Sequence, residues 1–316
     1  MSDGPKNRVA VIAATVLMLV TLAIGIKVMM AQKGGEMFRD MVKGAKLQGP
    51  ELILPKPEGT LRIIIIGGEL AGSIGFPAEQ SVRERVHSIL TKNLLKANST
   101  IKNIEVAAGY TGFRSPLDLA SNAIITNAIA SAPDLLVLFV ENTGRLIEPP
   151  KLQNKSYTVA TEDWARARET LARSLANALA GEPAIDLSLT KAGGPPGRLE
   201  ALQEECKQKN IKLAIGVVPN PLESDSELRA LALESLETEK KAPPPRHITF
   251  DESTQFAAEV RKKNMTAFDF TLGFREGADG KRMILLDYES GRWNAVAANV
   301  VAAQITTHVV SSGLAK

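Results

Sequence analysis

The sequence is poor in cysteine and in histidine. Among its 316 residues there is one cysteine, Cys206, which excludes an intrachain disulfide and any metal site built from several cysteines. Because no disulfide can form within the chain, cysteine usage does not identify the compartment. Histidine, the commonest catalytic base, occurs three times, at His87, His247 and His308.

Aromatic residues are also scarce, at 4% of the chain, and the net charge of +3 is unevenly spread. Residues 1–48 carry a net charge of +4 and the remaining residues carry −1. A basic excess that flanks an apolar segment is typical of contact with lipid head groups. No stretch combines basic and aromatic side chains for base stacking, so we expect no nucleic-acid partner.

An uncharged apolar stretch lies near the amino terminus. It runs from Val9 to Ile26 and continues past Lys27 to Met30, which is long enough for a helix to cross a hydrocarbon core of roughly 30 Å. It is long for a cleaved signal peptide, and no clear cleavage site follows it. We therefore predict a tail at 1–8, a transmembrane helix at 9–30, an interfacial or linker segment at 31–60 and a domain at 61–316.

The predicted interfacial segment has its own pattern. Met37, Phe38, Met41 and Val42 fall on one side of a helix over 36–46, which favours either a helix in the membrane interface or a solvated stalk. Prolines at 50, 55 and 57 then indicate a stiff linker.

Strand and helix patterns alternate along the rest of the chain. Apolar, β-branched runs predict strands at 62–66, 101–107, 135–140, 211–218 and 282–286. Helical spacing predicts helices at 81–97, 117–130, 161–180, 199–209, 254–263 and 294–311, and the charged stretch 222–247 is interpreted as an exposed loop. This alternation predicts an α/β fold with a three-layer, flavodoxin-like parallel sheet.

The first strand runs into a glycine turn, in the sequence RIIIIGGELAGSIGFP at 62–77. This segment resembles the first block of the SGNH/GDSL hydrolases, usually G-D-S or G-E-S. In that family the serine attacks a carbonyl carbon, but here Leu70 follows Gly68 and Glu69. Ser73 lies two or three residues too late, and we interpret it as a turn or cap residue.

The resemblance continues through the second and third blocks. The turn AGYTGFRS at 108–115 is similar to the family's N-x-G-x-x-G, and Gly109 matches the glycine whose N–H serves the oxyanion hole. After the third strand, Thr143 stands where the family has its oxyanion asparagine, with Asn142 one place away. Glu141 replaces a glycine there, and a surface or salt-bridged acid is its favoured interpretation.

The last block departs furthest from the family. Residues 290–298 read SGRWNAVAA, which resembles a family segment of the form D-G-H-W-N-A-A-G-H. Ser290 falls at the aspartate and Arg292 at the histidine, and a guanidinium cannot act as a general base. In another register Asp287 is the family aspartate. We expect Trp293 to pack in the core.

These departures lead us to predict a catalytically dead SGNH-like domain, with no cofactor and no metal. The predicted role is a structural or accessory subunit of a larger membrane complex, with the bilayer and other membrane-protein subunits as partners. One alternative is an active membrane-anchored esterase or O-acetyl-transfer enzyme that uses Ser73 or an unusual site. A second is a carbohydrate- or peptide-binding module around Gly109 and Trp293.

The remnant cleft is predicted to gather four polar residues at the carboxyl edge of the sheet, namely Glu69, Glu141, Asp287 and Arg292. We expect Arg292 to pair with Glu69 or Glu141, because two buried carboxylates otherwise repel each other. A metal site at Glu69, Glu141 and Asp287 is an alternative without a ligand-spacing motif. The resemblance favours a periplasmic domain on a single-pass inner-membrane anchor, whereas the positive-inside rule favours the cytoplasm.

Overall fold

The computed structural model of the chain describes residues 47–72, 77–95, 100–111, 122–141, 161–180, 197–238, 250–280, 286–287 and 292–314. At its centre is a five-stranded sheet with the strand order β2-β1-β3-β4-β5, in which every pairing is parallel. Its strands are β1 Thr60–Gly67, β2 Asn103–Tyr110, β3 Leu135–Glu141, β4 Lys212–Val218 and β5 Thr266–Asp269. The predicted flavodoxin-like order is therefore confirmed.

Helices follow the strands along the chain. They are α1 Glu69–Gly72, α2 Val82–Leu94, α3 Asn122–Ala130, α4 Thr161–Ala180, α5 Arg198–Gln208, α6 Pro221–Ser224, α7 Ser226–Thr238, α8 Glu252–Lys262, α9 Thr271–Arg275 and α10 Ala295–Ser311. A short antiparallel pair, β6 Leu286–Asp287 and β7 Arg292–Trp293, stands apart from the main sheet.

Alternating side chains of the buried strands pack into two separate hydrophobic cores, one on each face of the sheet. In β1, Ile63 and Ile65 face one core, which α2, α4, α7 and α10 cover, and Ile64 and Ile66 face the other, which α3, α5 and α8 cover. Successive side chains of a strand point to opposite faces, so a strand that is apolar throughout must be covered on both sides. The predicted three-layer arrangement follows from this.

The fifth strand of the sheet is not the predicted one. The sequence predicts it at 282–286, but Thr266–Asp269 pairs with β4 instead. Leu286 belongs to the antiparallel pair with Trp293. The apolar run at 282–286 gives a stronger strand pattern than the four residues TAFD, so length and hydrophobicity favoured the wrong segment.

The predicted exposed loop at 222–247 is also wrong within the described residues. Ser226–Thr238 forms α7, with Leu228, Ala232 and Leu236 buried one turn apart. Its start is fixed by Asp225, whose carboxylate accepts a hydrogen bond from the Leu228 N–H at 2.9 Å. Charged residues between these positions concealed a helical period of four.

At the amino ends of the strands, here called the amino edge of the sheet, a fully buried arginine donates a hydrogen bond from each of its three side-chain nitrogens. The Arg62 Nε donates to Glu105 Oε2 at 2.6 Å, and Nη2 donates to the Ile53 carbonyl at 2.9 Å. Its Nη1 donates to the Ser131 carbonyl. Burial of a guanidinium is tolerable only with such partners.

Residues 47–56, the strap, are attached to the domain at three points. The Gln48 and Ala108 backbones exchange hydrogen bonds of 2.7 and 2.8 Å, which makes an antiparallel bridge to β2. Arg62 holds the Ile53 carbonyl, and Lys56 Nζ lies 2.5 Å from Asp134 Oδ1. A segment assigned to a linker from its prolines is thus packed on the domain.

In the part of the chain that the structure describes, there is no helix with both the length and the apolar character needed to cross a membrane. The predicted span at 9–30 lies outside the described residues. The predicted boundaries of the tail, span and linker therefore stay predictions.

Candidate functional site

The strand order creates a crevice between β1 and β3. The chain runs outward from β1 to β2 and then returns to the other side of β1 at β3. In open parallel sheets, ligands bind outside the carboxyl ends of the strands where the order reverses in this way. β1 ends at Gly67 and β3 ends at Glu141, so Glu69 and Glu141 lie at this switch point.

The carboxyl group of Glu141 packs directly on the turn that follows β1. A Cβ added at Gly68 would lie 2.5 Å from Glu141 Oε2 and 2.8 Å from its Cδ. At Gly67, an added Cβ would lie 2.6 Å from the Cβ of Phe139. Two glycines in a row therefore allow β3 side chains to approach the β1 turn more closely than any other residue permits.

Burial is the main cause that raises the pKa of Glu141, which reaches about 7. Glu69 raises it further, because a second carboxylate disfavours ionisation of the first. The backbone N–H groups of Leu70, Glu69 and Gly68 act in the opposite direction. A carboxyl group that titrates near pH 7 is suited to general acid–base chemistry, since both protonation states are populated.

The hydrogen bond between the start of α1 and Glu141 is long. The Leu70 N–H donates to Glu141 Oε1 at 3.4 Å, longer than the usual 2.7–3.2 Å. The N–H groups of Glu69 and Gly68 also interact with the carboxyl group, so the turn backbone and side-chain packing position it together.

Leu70, which the sequence resemblance predicts at the position of the family serine, is a core residue. Its side chain is 1% exposed and packs in the same cluster as Phe139. The residue contributes its backbone N–H to the site but no nucleophile.

Gly109 lies at the carboxyl end of β2, where the second block predicts it. A Cβ there would lie 2.6 Å from Ile124 Cδ1, so the packing of α3 already requires a glycine. The next residue, Tyr110, lies with its ring against Gly72, where an added Cβ would be 2.6 Å from the ring Cδ2. Sequence reasoning missed this half-buried tyrosine, although it directly follows Gly109.

A second buried carboxyl group lies after β4, and it has a structural role. Glu223 Oε2 accepts from the Asn220 N–H at 2.8 Å and from the Ser253 hydroxyl at 2.6 Å, and Oε1 accepts from the Ser253 N–H at 2.8 Å. Burial raises its pKa, and these bonds act against the rise. Glu223 thus ties the start of α8 to α6.

Several predicted site residues are not placed. Ser73, Asn142, Thr143 and Ser290 lie outside the described residues, as does His247. The backbones of Asp287 and Arg292 pair in the β6–β7 ladder, and β7 packs against α1. The side chains of these two residues lie outside the description, so the expected pairing of Arg292 with Glu69 or Glu141 stays a prediction.

Trp293 packs in the core, as expected. It is 6% exposed, and its ring lies edge-on to Phe274 at 4.6 Å between centroids. A buried indole has no open face for a sugar ring, so nothing specific favours the binding-module alternative. The His308 ring lies against Phe268, and burial lowers its pKa.

Within the described ranges, no group of three or more histidine, cysteine, aspartate or glutamate residues has an arrangement that could hold a metal ion. The metal-site alternative at Glu69, Glu141 and Asp287 stays a prediction, because the side chain of Asp287 lies outside the described residues.

No protein-family model matches the chain, and no curated protein matches it either. Solved structures similar to it include a candidate lipolytic protein of the G-D-S-L family from Desulfitobacterium hafniense DCB-2. That protein is 12% identical, with a TM-score of 0.36, and the match covers 78% of this chain and 98% of that chain. TesA is 11% identical, with coverage of 78% and 97% and a TM-score of 0.37.

A third similar structure is a candidate acylhydrolase from Bacteroides fragilis NCTC 9343. It is 11% identical, the match covers 87% of this chain and 95% of that chain, and the TM-score is 0.34. The likeness to all three is distant and identifies no substrate.

The prediction of a non-catalytic accessory subunit is wrong. Two of the similar structures are described as a lipolytic protein and an acylhydrolase, which are enzymes and not accessory subunits. The prediction that the chain is not an enzyme receives no support from these structures. That prediction rested on missing family side chains and overlooked the environment of Glu141.

Proposed function

We propose that the chain hydrolyses carboxylic esters and that the Glu141 carboxyl group carries the proton in this reaction. The observation behind the proposal is a carboxyl group at the β1–β3 switch point that titrates near pH 7. The ester substrate class comes from the resemblance of residues 62–77 and 108–115 to the SGNH/GDSL blocks.

The reaction needs one base that later becomes an acid. Ionised Glu141 removes a proton from water as the oxygen forms a bond to the ester carbonyl carbon. The tetrahedral intermediate then breaks its bond to the alcohol oxygen, and protonated Glu141 returns the proton to that oxygen. The products are a carboxylic acid and an alcohol, and Glu141 is ionised again.

Glu69 has a supporting role in this scheme. Its charge helps to keep the pKa of Glu141 near neutrality rather than near 4.5. A carboxylate whose pKa is about 7 is a stronger base than one whose pKa is 4.5, and its conjugate acid can still protonate the leaving oxygen. The two carboxylates act as a pair in which one holds the proton.

The first test is hydrolysis of p-nitrophenyl acetate and longer-chain esters by the full chain. Glu141→Gln keeps the shape of the side chain but cannot accept the proton, so we expect the rate to fall by about 10²–10⁴-fold. Glu259→Gln, in an exposed ion pair with Lys262 on α8, is the matched control and should retain full activity. Wild-type protein with no rate above buffer, or a fully active Glu141→Gln variant, would overturn the proposal.

The nucleophile is tested separately. If Ser73 forms an acyl-enzyme, serine-reactive probes label the chain and Ser73→Ala abolishes both labelling and hydrolysis. If water attacks directly, as proposed, Ser73→Ala leaves the rate unchanged. An acceptor alcohol that raises the rate of ester cleavage indicates acyl transfer by the same site.

We also propose that residues 9–30 anchor the chain in the inner membrane with the domain on the periplasmic side. The motivation is the apolar stretch together with the family resemblance. Reporter fusions after residue 316 should be active in the periplasm, whereas activity of a cytoplasmic reporter would reverse the orientation.

A further inference from the structure

Two adjacent apolar side chains stand out at the surface of the strap. Ile53 is 60% exposed and Leu54 is 57% exposed. Among the described residues, the other large exposed apolar side chains are Leu95, Leu272 and Val310, which occur singly. Single exposed apolar residues are ordinary, but an adjacent pair on one tip points to a contact.

This tip is held in place by the domain. The Ile53 carbonyl accepts from Arg62 Nη2 at 2.9 Å, and Lys56 is paired with Asp134 at 2.5 Å. Upstream, Gln48 is bridged to Ala108 by two backbone hydrogen bonds. Because these bonds fix the backbone on both sides, little conformational entropy remains to be lost when the tip binds.

The position of the strap in the chain indicates what covers the tip. Sixteen residues, 31–46, separate the end of the predicted span from the strap. They reach about 55 Å when extended and about 24 Å as a helix. A tether of this length allows the tip to reach the lipid surface, and the pattern at 36–46 favours a path along that surface.

The charges around the tip and its small area both favour lipid over protein as its binding partner. Glu51 and Lys56 flank the tip with opposite charges, so the contact is apolar and not electrostatic. Two side chains cannot supply the roughly 1,000 Å² that a specific protein interface buries, whereas membrane insertion needs no such area. We propose that Ile53 and Leu54 insert into the interfacial layer of the bilayer that residues 9–30 are predicted to cross.

The test places an environment-sensitive fluorophore at the tip of the full-length protein. Leu54→Cys is labelled with nitrobenzoxadiazole in a Cys206→Ser background and reconstituted into phosphatidylcholine vesicles with or without brominated lipid. Leu272→Cys, at a site that is 64% exposed on α9, is the matched control. Carbonate washing shows whether the chain is retained in the membrane.

We expect blue-shifted emission at residue 54, quenched several-fold more by brominated lipid than at residue 272 and unchanged by high salt. Equal emission and quenching at the two positions in carbonate-resistant protein would overturn the proposal. Shielding that depends on the protein-to-lipid ratio and not on brominated lipid indicates a second copy and also overturns it. Loss of the chain on carbonate washing would contradict both this proposal and the predicted transmembrane span. It would leave the proposal of ester hydrolysis unaffected.

Discussion

The two ends of the central sheet differ in the charges that they bring together. At the amino edge, a fully buried Arg62 lies 2.6 Å from the carboxylate of Glu105, and its other nitrogens donate to backbone carbonyls. At the carboxyl edge, the charge that acts on Glu141 is another carboxylate, that of Glu69. The first arrangement pairs two opposite charges, and the second raises the pKa of one carboxyl group to about 7.

This difference separates stability from chemistry within one fold. Opposite charges in hydrogen-bonding contact lock two strands together and are costly to break. Like charges under a glycine turn cost folding energy, but they produce a group that exchanges protons at neutral pH. We therefore expect mutations at the amino edge to reduce mainly the free energy of unfolding. Mutations at the carboxyl edge should reduce mainly the rate of ester hydrolysis.

The largest expected effect is at the amino edge. Arg62→Met removes the guanidinium and leaves the buried Glu105 carboxylate without its cation, so we expect a loss of about 3–5 kcal/mol in the free energy of unfolding. Lys263→Met, which breaks an exposed pair with Glu200, is the control and should cost less than about 1 kcal/mol. Urea denaturation measures both, and equal effects would refute the contrast.

At the carboxyl edge, Glu141 should make the free energy of unfolding depend on pH. The pKa of Glu141 is near 7 in the folded chain and about 4.5 in the unfolded chain. Between these values the folded state binds more protons, so this group's contribution to stability is present below pH 4.5 and is lost as pH rises through 7.

The loss is at most on the order of 3 kcal/mol, and partial exposure of Glu141 reduces it. In Glu141→Gln this part of the pH dependence disappears. Chemical denaturation at pH 5 and pH 8 measures the difference. A wild-type slope identical to that of Glu141→Gln would show that Glu141 is not perturbed.

Gly68→Ala should have a smaller effect on folding and a large one on activity. The new methyl group would lie 2.5 Å from Glu141 Oε2, so the carboxyl group must move. We expect a cost of about 1–2 kcal/mol, typical of overpacking, together with loss of ester hydrolysis. Thermal melting and rate assays on the same samples measure the two, and unchanged hydrolysis would mean that the position of the carboxyl group is unimportant.

Most of the fold could be predicted because the buried strands are apolar throughout. The run of four isoleucines after Arg62 identifies β1, and the spacing of α4 and α10 matches the observed helices within one residue. The errors arose where the local pattern was weak, at β5 with four residues and at α7, whose charged residues conceal its buried side.

The site could be predicted only in part. Glu69 and Glu141 each follow a predicted strand, and neighbouring parallel strands bring such residues together. The raised pKa of Glu141 could not be predicted, because it depends on how closely its carboxyl group packs against Gly68 in space. Leu70, at the predicted serine position, has its side chain in the core, whereas the backbone N–H of the same residue contacts Glu141.

The pH dependence of ester hydrolysis in wild type and in Glu69→Gln tests the central claim most directly. If Glu141 is the base and Glu69 raises its pKa, the wild-type rate rises with a midpoint near pH 7, and removal of the Glu69 charge moves that midpoint to lower pH. A pH profile that is the same in both proteins would contradict the proposed role of the Glu69–Glu141 pair.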